Sequence, residues 1–293
     1  MNANKFLFRT ILGVSIIGSL SFASSINQQK KTYNVEGIKF VPLAKDSKIF
    51  KIASEAPLFK KFHTQVKTVM KMSDGLYYIQ VERNGRRFDF YWDKDKNAFF
   101  NTSILLTANG KVIKVPVIID KNLLKKSIAF TYGHNIKGEL YMFTDPQCPF
   151  CKRAEKRLGK KLEKDYKVHT ILFPLSFHDR ALPLTQWILR AKTDKERYKR
   201  MKEAMQDNEN PQIGKDLGFK HWNDRQYSQE IEKYREIVEG RISNYKPYFK
   251  SKEELKKFQR YLKNVRKLVQ EANVRGTPTF LNKDYRPVNP YSL

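Results

Sequence analysis

The only two cysteines of the chain stand three residues apart, in Cys148-Pro149-Phe150-Cys151. They sit where a hydrophobic run turns into a helix. Leu140-Tyr141-Met142-Phe143 reads as a buried strand and Thr144-Asp145-Pro146-Gln147 as a loop. Cys151, Ala154, Leu158 and Leu162 then recur at helical spacing. A helix start presents unpaired amides and the positive end of the dipole. An anion is stabilised there, so the Cys148 thiolate is expected to form below the free-thiol pKa of about 8.5. Thiolates attack disulfides. The pattern predicts thiol–disulfide exchange, with Cys148 as the attacking sulfur, Cys151 as the resolving sulfur and a Cys148–Cys151 disulfide as the oxidised state.

The two intervening residues tune that chemistry. Pro149 falls at the first helical position and lacks an amide, which removes one donor to the thiolate. Phe150 brings neither charge nor hydrogen bond. Lys152 and Arg153 either add positive potential or form the solvated face of the helix.

The rest of the chain must position this pair. At the N-terminus Lys5 and Arg9, the apolar Ile11 to Leu20 and Ser21-Phe22-Ala23 read as a signal peptide over residues 1–23, cleaved near Ala23. Its apolar stretch is shorter than the roughly 20 residues a membrane span needs. Export from the cytosol is therefore expected. In an exported protein, cysteines usually staple the fold. A bridge closing so short a loop removes little chain entropy, so this pair is read as reactive.

About 270 residues remain after the signal, enough for two cores. The net charge of +27 invites a nucleic-acid or anionic-lipid reading. The lysines are spread over helix faces such as Lys192 to Lys202 and Lys250 to Lys267, with no nucleic-acid motif beside them. Solvated faces explain them better, and nucleic acid is not an expected partner.

Residues 24–120 read as a small antiparallel β-rich domain with one amphipathic helix around Leu58 to Met70. Two alternating runs flank Asn84-Gly85, a hairpin signal, and two further strand candidates flank Asn109-Gly110. Residues 121–135 read as a linker helix, from Lys121 to Tyr132, ended by Gly133. In residues 136–293, strand Leu140 to Thr144, the helix from Pro149 and strand Val168 to Phe173 form a βαβ unit. Residues 180–272 are helical in pattern. A short strand follows at Thr279 to Leu281, with another candidate at Tyr285 to Val288.

Phe143-Thr144-Asp145-Pro146-Gln147-Cys148-Pro149-Phe150-Cys151 and Gly276-Thr277-Pro278-Thr279 together resemble the DsbC/DsbG family of periplasmic disulfide isomerases. The resemblance implies an α+β to α/β architecture: a thioredoxin fold with a helical insertion, preceded by a cystatin-like β-rich dimerisation domain and a linker helix. It implies a homodimer, and a cis peptide before Pro278 that sets Thr277 and Pro278 beside the sulfurs for substrate binding by strand addition. Pro149-Phe150 lies nearer the Pro-Tyr pair of DsbG than the Gly-Tyr of DsbC. Thioredoxin domains usually continue through a final helix, and none is legible after Tyr285 to Val288. Either one sheet face is left uncovered, or another element covers it.

Several functions fit these residues. The first is an isomerase or reductase for misoxidised exported proteins, kept reduced by a membrane thiol-redox partner, with rescue of sulfenylated cysteines as a variant. The second is a dimeric oxidase working on the same residues. The third is a chaperone or holdase with a vestigial redox centre. Zinc held by the two cysteines with His169 or His178 lacks recognisable ligand spacing. Haem attachment fails because Lys152 stands where a histidine is needed. No cofactor or metal is expected.

Overall fold

The computed structural model describes residues 32–35, 37–101, 105–106, 110, 112–113, 115 and 117–293. The signal-peptide reading and its cleavage site lie outside them. No helix among the described residues is long and apolar enough to cross a membrane.

The N-terminal part is a β-rich unit. It runs β1 (Tyr33–Val35), β2 (Ile38–Pro42), α1 (Lys48–Glu55), α2 (Pro57–Lys61), β3 (Gln65–Lys71), β4 (Leu76–Arg83), β5 (Arg86–Asp93) and β6 (Ala98–Asn101). These strands form one sheet in the order β1-β2-β3-β4-β5-β6, antiparallel at every pairing. The β4–β5 hairpin turns on Asn84 and Gly85, whose φ values of 51° and 73° are those a two-residue type I′ turn requires. Phe50, Ala53 and Phe59 from the two helices pack with Val69, Ile79, Val81 and Trp92 of the sheet. A short pair, β7 (Leu105–Leu106) with β8 (Val112–Ile113), follows.

The helix expected over Leu58 to Met70 is not formed. Helix α2 stops at Lys61, His63 takes the left-handed region at φ 49°, and the chain continues as strand β3. The register shifts between Val66 and Thr68, marking a bulge. That bulge puts Val66, Val69 and Met70 on buried sites at a spacing that imitates a helix face.

The second unit begins with α3 (Lys121–Ser127), capped by the Asp120 carboxylate, which accepts from the Asn122 and Leu123 amides. Strand β9 (Phe130–Gly133) follows and pairs antiparallel with a later strand through Lys167 to Thr170. This corrects the linker helix expected over residues 121–135: its second half is an edge strand of the main sheet. Phe130 and Tyr132 are buried while Thr131 between them is only partly so, a period of two. Gly133 ends the strand at φ 81°, where a Cβ would meet the Tyr166 carbonyl oxygen at 2.3 Å.

The remaining elements are β10 (Gly138–Thr144), α4 (Pro149–Asp165), β11 (Tyr166–Leu172), α5 (Ala181–Leu189), α6 (Asp194–Gln206), α7 (Pro211–Leu217), α8 (Tyr227–Glu239), α9 (Lys252–Glu271), β12 (Thr279–Asn282) and β13 (Pro287–Val288). The sheet order is β13-β12-β10-β11-β9. Strands β10 and β11 are parallel and joined through α4, while β12 runs antiparallel to β10. This is a thioredoxin-like fold with α5 to α8 inserted between its halves.

Both faces of this sheet are covered. On one, Leu140, Met142, Val168 and Leu172 pack with Cys151 and Leu162 of α4 and with the inserted helices. On the other, Phe143, Ile171 and Leu281 pack with Leu123 and Leu124 of α3 and with Val265 and Leu268 of α9. Helix α9 brings Leu255, Phe258, Leu262, Val265 and Leu268 as one buried stripe behind a Ser251 cap.

Candidate active site

Parallel pairing sends the C-terminal ends of β10 and β11 to the same sheet edge, and antiparallel β12 enters from that edge. Three loops therefore meet there: residues 145–148, 173–180 and 274–278. Each carries part of the site.

Cys148 is the N-cap of α4 and is not hydrogen-bonded as a cap through its side chain; Pro149 fills the first helical position. Its sulfur lies 3.6 Å from the Thr277 carbonyl oxygen. The Thr277–Pro278 peptide is cis. The register pairs Phe143 with Thr279, which sets Thr277 opposite the redox loop. Cys151 lies one turn into α4, where the Asp145 amide donates to its sulfur at 3.5 Å. Burial pushes the Cys151 thiol up to about 12; bonds from Thr144, Thr277 and Asp145 oppose the shift, and Cys148 adds to it. The expected Cys148–Cys151 disulfide is present as two free thiols, the reduced member of the couple. Cys151 thus sits as a protonated thiol one helical turn on from Cys148.

Phe150 projects outward at 63 % exposure. The Arg153 guanidinium lies over its ring, 4.4 Å from the centroid. Arg153 therefore both faces solvent and brings positive charge to the first turn of α4.

The loop before Cys148 is organised by Asp145, which is fully buried. Its Oδ1 accepts from the Gln147 amide at 2.7 Å and the Cys148 amide at 3.2 Å. Its Oδ2 accepts from the Leu175 amide at 2.8 Å and His178 Nδ1 at 2.9 Å. Gln147 makes a second bridge. Its Nε2 donates to Asp179 Oδ1 at 2.6 Å and its Oε1 accepts from the Arg180 amide at 2.7 Å. An Asp two residues before an amide it captures is a known turn-former, so Asp145 carried a readable signal. Its bond to His178, 33 residues on, carried none.

His178 is thus Asp145's partner. His169 is bonded to Thr131 at 3.0 Å and paired with Glu139 at 3.5 Å. Among the described residues no group of three or more His, Cys, Asp or Glu side chains is arranged to hold a metal ion.

Comparison with solved structures finds distant likenesses. A thioredoxin-like oxidoreductase from Silicibacter pomeroyi is 14 % identical, covering 58 % of this chain and 88 % of its own, at a TM-score of 0.38. The thiol-disulfide exchange protein alpha-DsbA2 from Wolbachia pipientis is 17 % identical over 58 % and 88 %, at 0.37. Helicobacter pylori DsbG is 12 % identical over 77 % and 97 %, at 0.28. No curated protein matches the chain. The thioredoxin-like domain family matches residues 131–286, a span that runs from β9 to the threshold of β13 and takes in both cysteines and the cis proline, and the chain belongs to that family.

Proposed function

We propose that the chain is an exported thiol:disulfide interchange protein that reshuffles or reduces non-native disulfides of other exported proteins. One observation carries the reading. A two-cysteine motif at a helix start places Cys148 against the Thr277 carbonyl and Cys151 beneath it as a protonated thiol. The Cys148 thiolate attacks a client disulfide; a Cys148–client bond forms and one client sulfur leaves as a thiolate. If another client thiolate then attacks the mixed disulfide, Cys148 is regenerated and the client is isomerised with no net electron transfer. If Cys151 attacks instead, its proton leaves, Cys148–Cys151 forms and the client has gained two electrons. A membrane thiol donor would then have to restore the pair.

Two further parts of the reading follow from it. Thr277 and Pro278 hold the client backbone through the carbonyl and amide edge of their loop. The β-rich N-terminal unit pairs two copies; Phe100, exposed on the edge strand β6, supports a contact there. A monomeric mass by light scattering at micromolar concentration would remove the dimer from the proposal.

The test is reactivation of a scrambled multi-disulfide substrate by the reduced protein lacking residues 1–23, with Cys148→Ser alongside. Recovery that depends on Cys148 is the expected result. Fast oxidation of a reduced substrate by the disulfide form, without reactivation, would make the chain an oxidase. Suppressed aggregation that survives Cys148→Ser, with exchange in neither direction, would make it a holdase.

A further inference from the structure

We propose that residues 175–180 form a second wall of the client site, and that Phe177 on this wall selects clients with an apolar residue beside the reactive cysteine. The inference rests on the exchange reading above and names its specificity.

The wall is tied to the redox loop at both of its ends. Leu175 and His178 are held by Asp145, at 2.8 and 2.9 Å. Asp179 and Arg180 are held by Gln147, at 2.6 and 2.7 Å. Asp145 and Gln147 are the residues that lead into Cys148, and the Asp145 carboxylate also takes the Cys148 amide. The two pairs of anchors leave Ser176 and Phe177 as the crest of the loop. From the far side Arg235 donates to the Ser176 carbonyl at 3.4 Å.

Phe177 stands on this crest at 76 % exposure, the highest of any large hydrophobic side chain among the described residues. One edge of its ring leans on His178, centroids 4.5 Å apart, and the rest is bare. An aromatic held out on a loop pinned through buried groups gives up little freedom on binding. The Phe150 ring, inside the motif, already carries Arg153 on one face. Phe177 is thus the barer of the two exposed aromatic side chains on the loops tied together around Cys148. The occupant is the client segment whose sulfur has reached Cys148, extended, with an aliphatic or aromatic side chain next to its cysteine.

The test uses two peptides identical except for the residue beside their single cysteine, Leu in one and Ser in the other, each activated as a disulfide with a small thiol. Single-turnover formation of the Cys148–peptide disulfide is followed with the reduced protein. The Leu peptide is expected to react about tenfold faster, the factor given by burying much of one such side chain. In Phe177→Ser that ratio should fall towards one, and Phe177→Leu should restore most of it. Equal rates for the two peptides, or a ratio that survives Phe177→Ser, would overturn the proposal. Reaction of the unaltered protein with neither peptide would instead bring down the exchange reading on which it stands.

Discussion

The Cys148 sulfur lies 3.6 Å from the Thr277 carbonyl oxygen, although 129 residues separate them in the chain. Most of the helices of the thioredoxin-like unit lie between these two groups: α4 and β11 lead away from the first, the inserted helices follow, and α9 returns to the second. In the reduced protein the Cys148 thiol donates to that carbonyl, and the second cysteine waits beneath.

Their division of labour predicts different products from two mutants. Cys148→Ser should bring disulfide exchange down to the uncatalysed level, because a hydroxyl is a far weaker nucleophile at neutral pH. Cys151→Ser should keep the first attack and stall at the second, so that a Cys148–client disulfide accumulates. Mass spectrometry after brief incubation with a disulfide substrate reads both. Accumulation of the adduct in Cys148→Ser rather than in Cys151→Ser would reverse the two roles.

The buried Cys151 thiol gives the reduced protein a pH-dependent stability. Burial raises its pKa from 9.0 to about 12, so between those values the folded state holds a proton that the unfolded state has lost. The stabilisation is complete below pH 9 and is lost as pH rises towards 12, with a slope approaching about 1.4 kcal/mol per pH unit. Buried tyrosines titrate in the same direction, so the useful measurement is a difference. From pH 8.5 to 10.5, the urea midpoint of the reduced protein should fall faster than that of Cys151→Ser. Parallel falls would show that Cys151 titrates as freely in the fold as outside it.

Most of this architecture was legible in residues 140–293 because each signal there was local. The strand–loop–helix around Cys148, the stripe on α9 and the strand after Pro278 each follow from periods of two or 3.6 within a dozen residues. The misreadings came where a local pattern served another geometry. The bulge at Val66 and Thr68 spaced buried residues as a helix would. Gly133 resembled a helix stop while it was closing an edge strand against the Tyr166 carbonyl. Asp145 was readable as a turn residue, but its bond to His178 crosses from one loop to another, which no local spacing encodes.

Asp145 is the residue whose loss should cost most stability near the site. Four donors converge on its oxygens: the Gln147, Cys148 and Leu175 amides and His178 Nδ1. Asp145→Ala leaves them facing a gap, apart from the Cys148 amide, which keeps the Asp145 carbonyl at 3.2 Å. The expected cost is about 3–5 kcal/mol. Asp145→Asn retains one acceptor oxygen and should cost less, about 1–2 kcal/mol. Denaturant unfolding at unchanged m-value measures both. A loss under about 0.5 kcal/mol for Asp145→Ala, the range of an ordinary surface change, would show that the loop stands without this carboxylate.

Arg87 joins the two units of the chain at a point that bears on the cis-proline loop. From strand β5 its Nη1 donates to the Glu271 carbonyl at 2.7 Å and to Gln80 Oε1 at 2.9 Å. Glu271 is the last residue of α9, where carbonyls lack intrahelical partners and the dipole favours a cation. The Glu271 carboxylate in turn accepts from the Asp120 amide at the start of α3. Five residues beyond Glu271 the chain reaches Gly276 and Thr277. Arg87→Ala should therefore cost about 1.5–3 kcal/mol, the range for a hydrogen bond to a charged group. It should also speed amide hydrogen exchange in residues 272–277, while leaving the β4–β5 hairpin protected. Arg87→Lys keeps the charge and three donors but loses the rigid planar fork, and should fall between. Faster exchange confined to β4 and β5 would mean that Arg87 serves its own sheet only and does not tie it to α9.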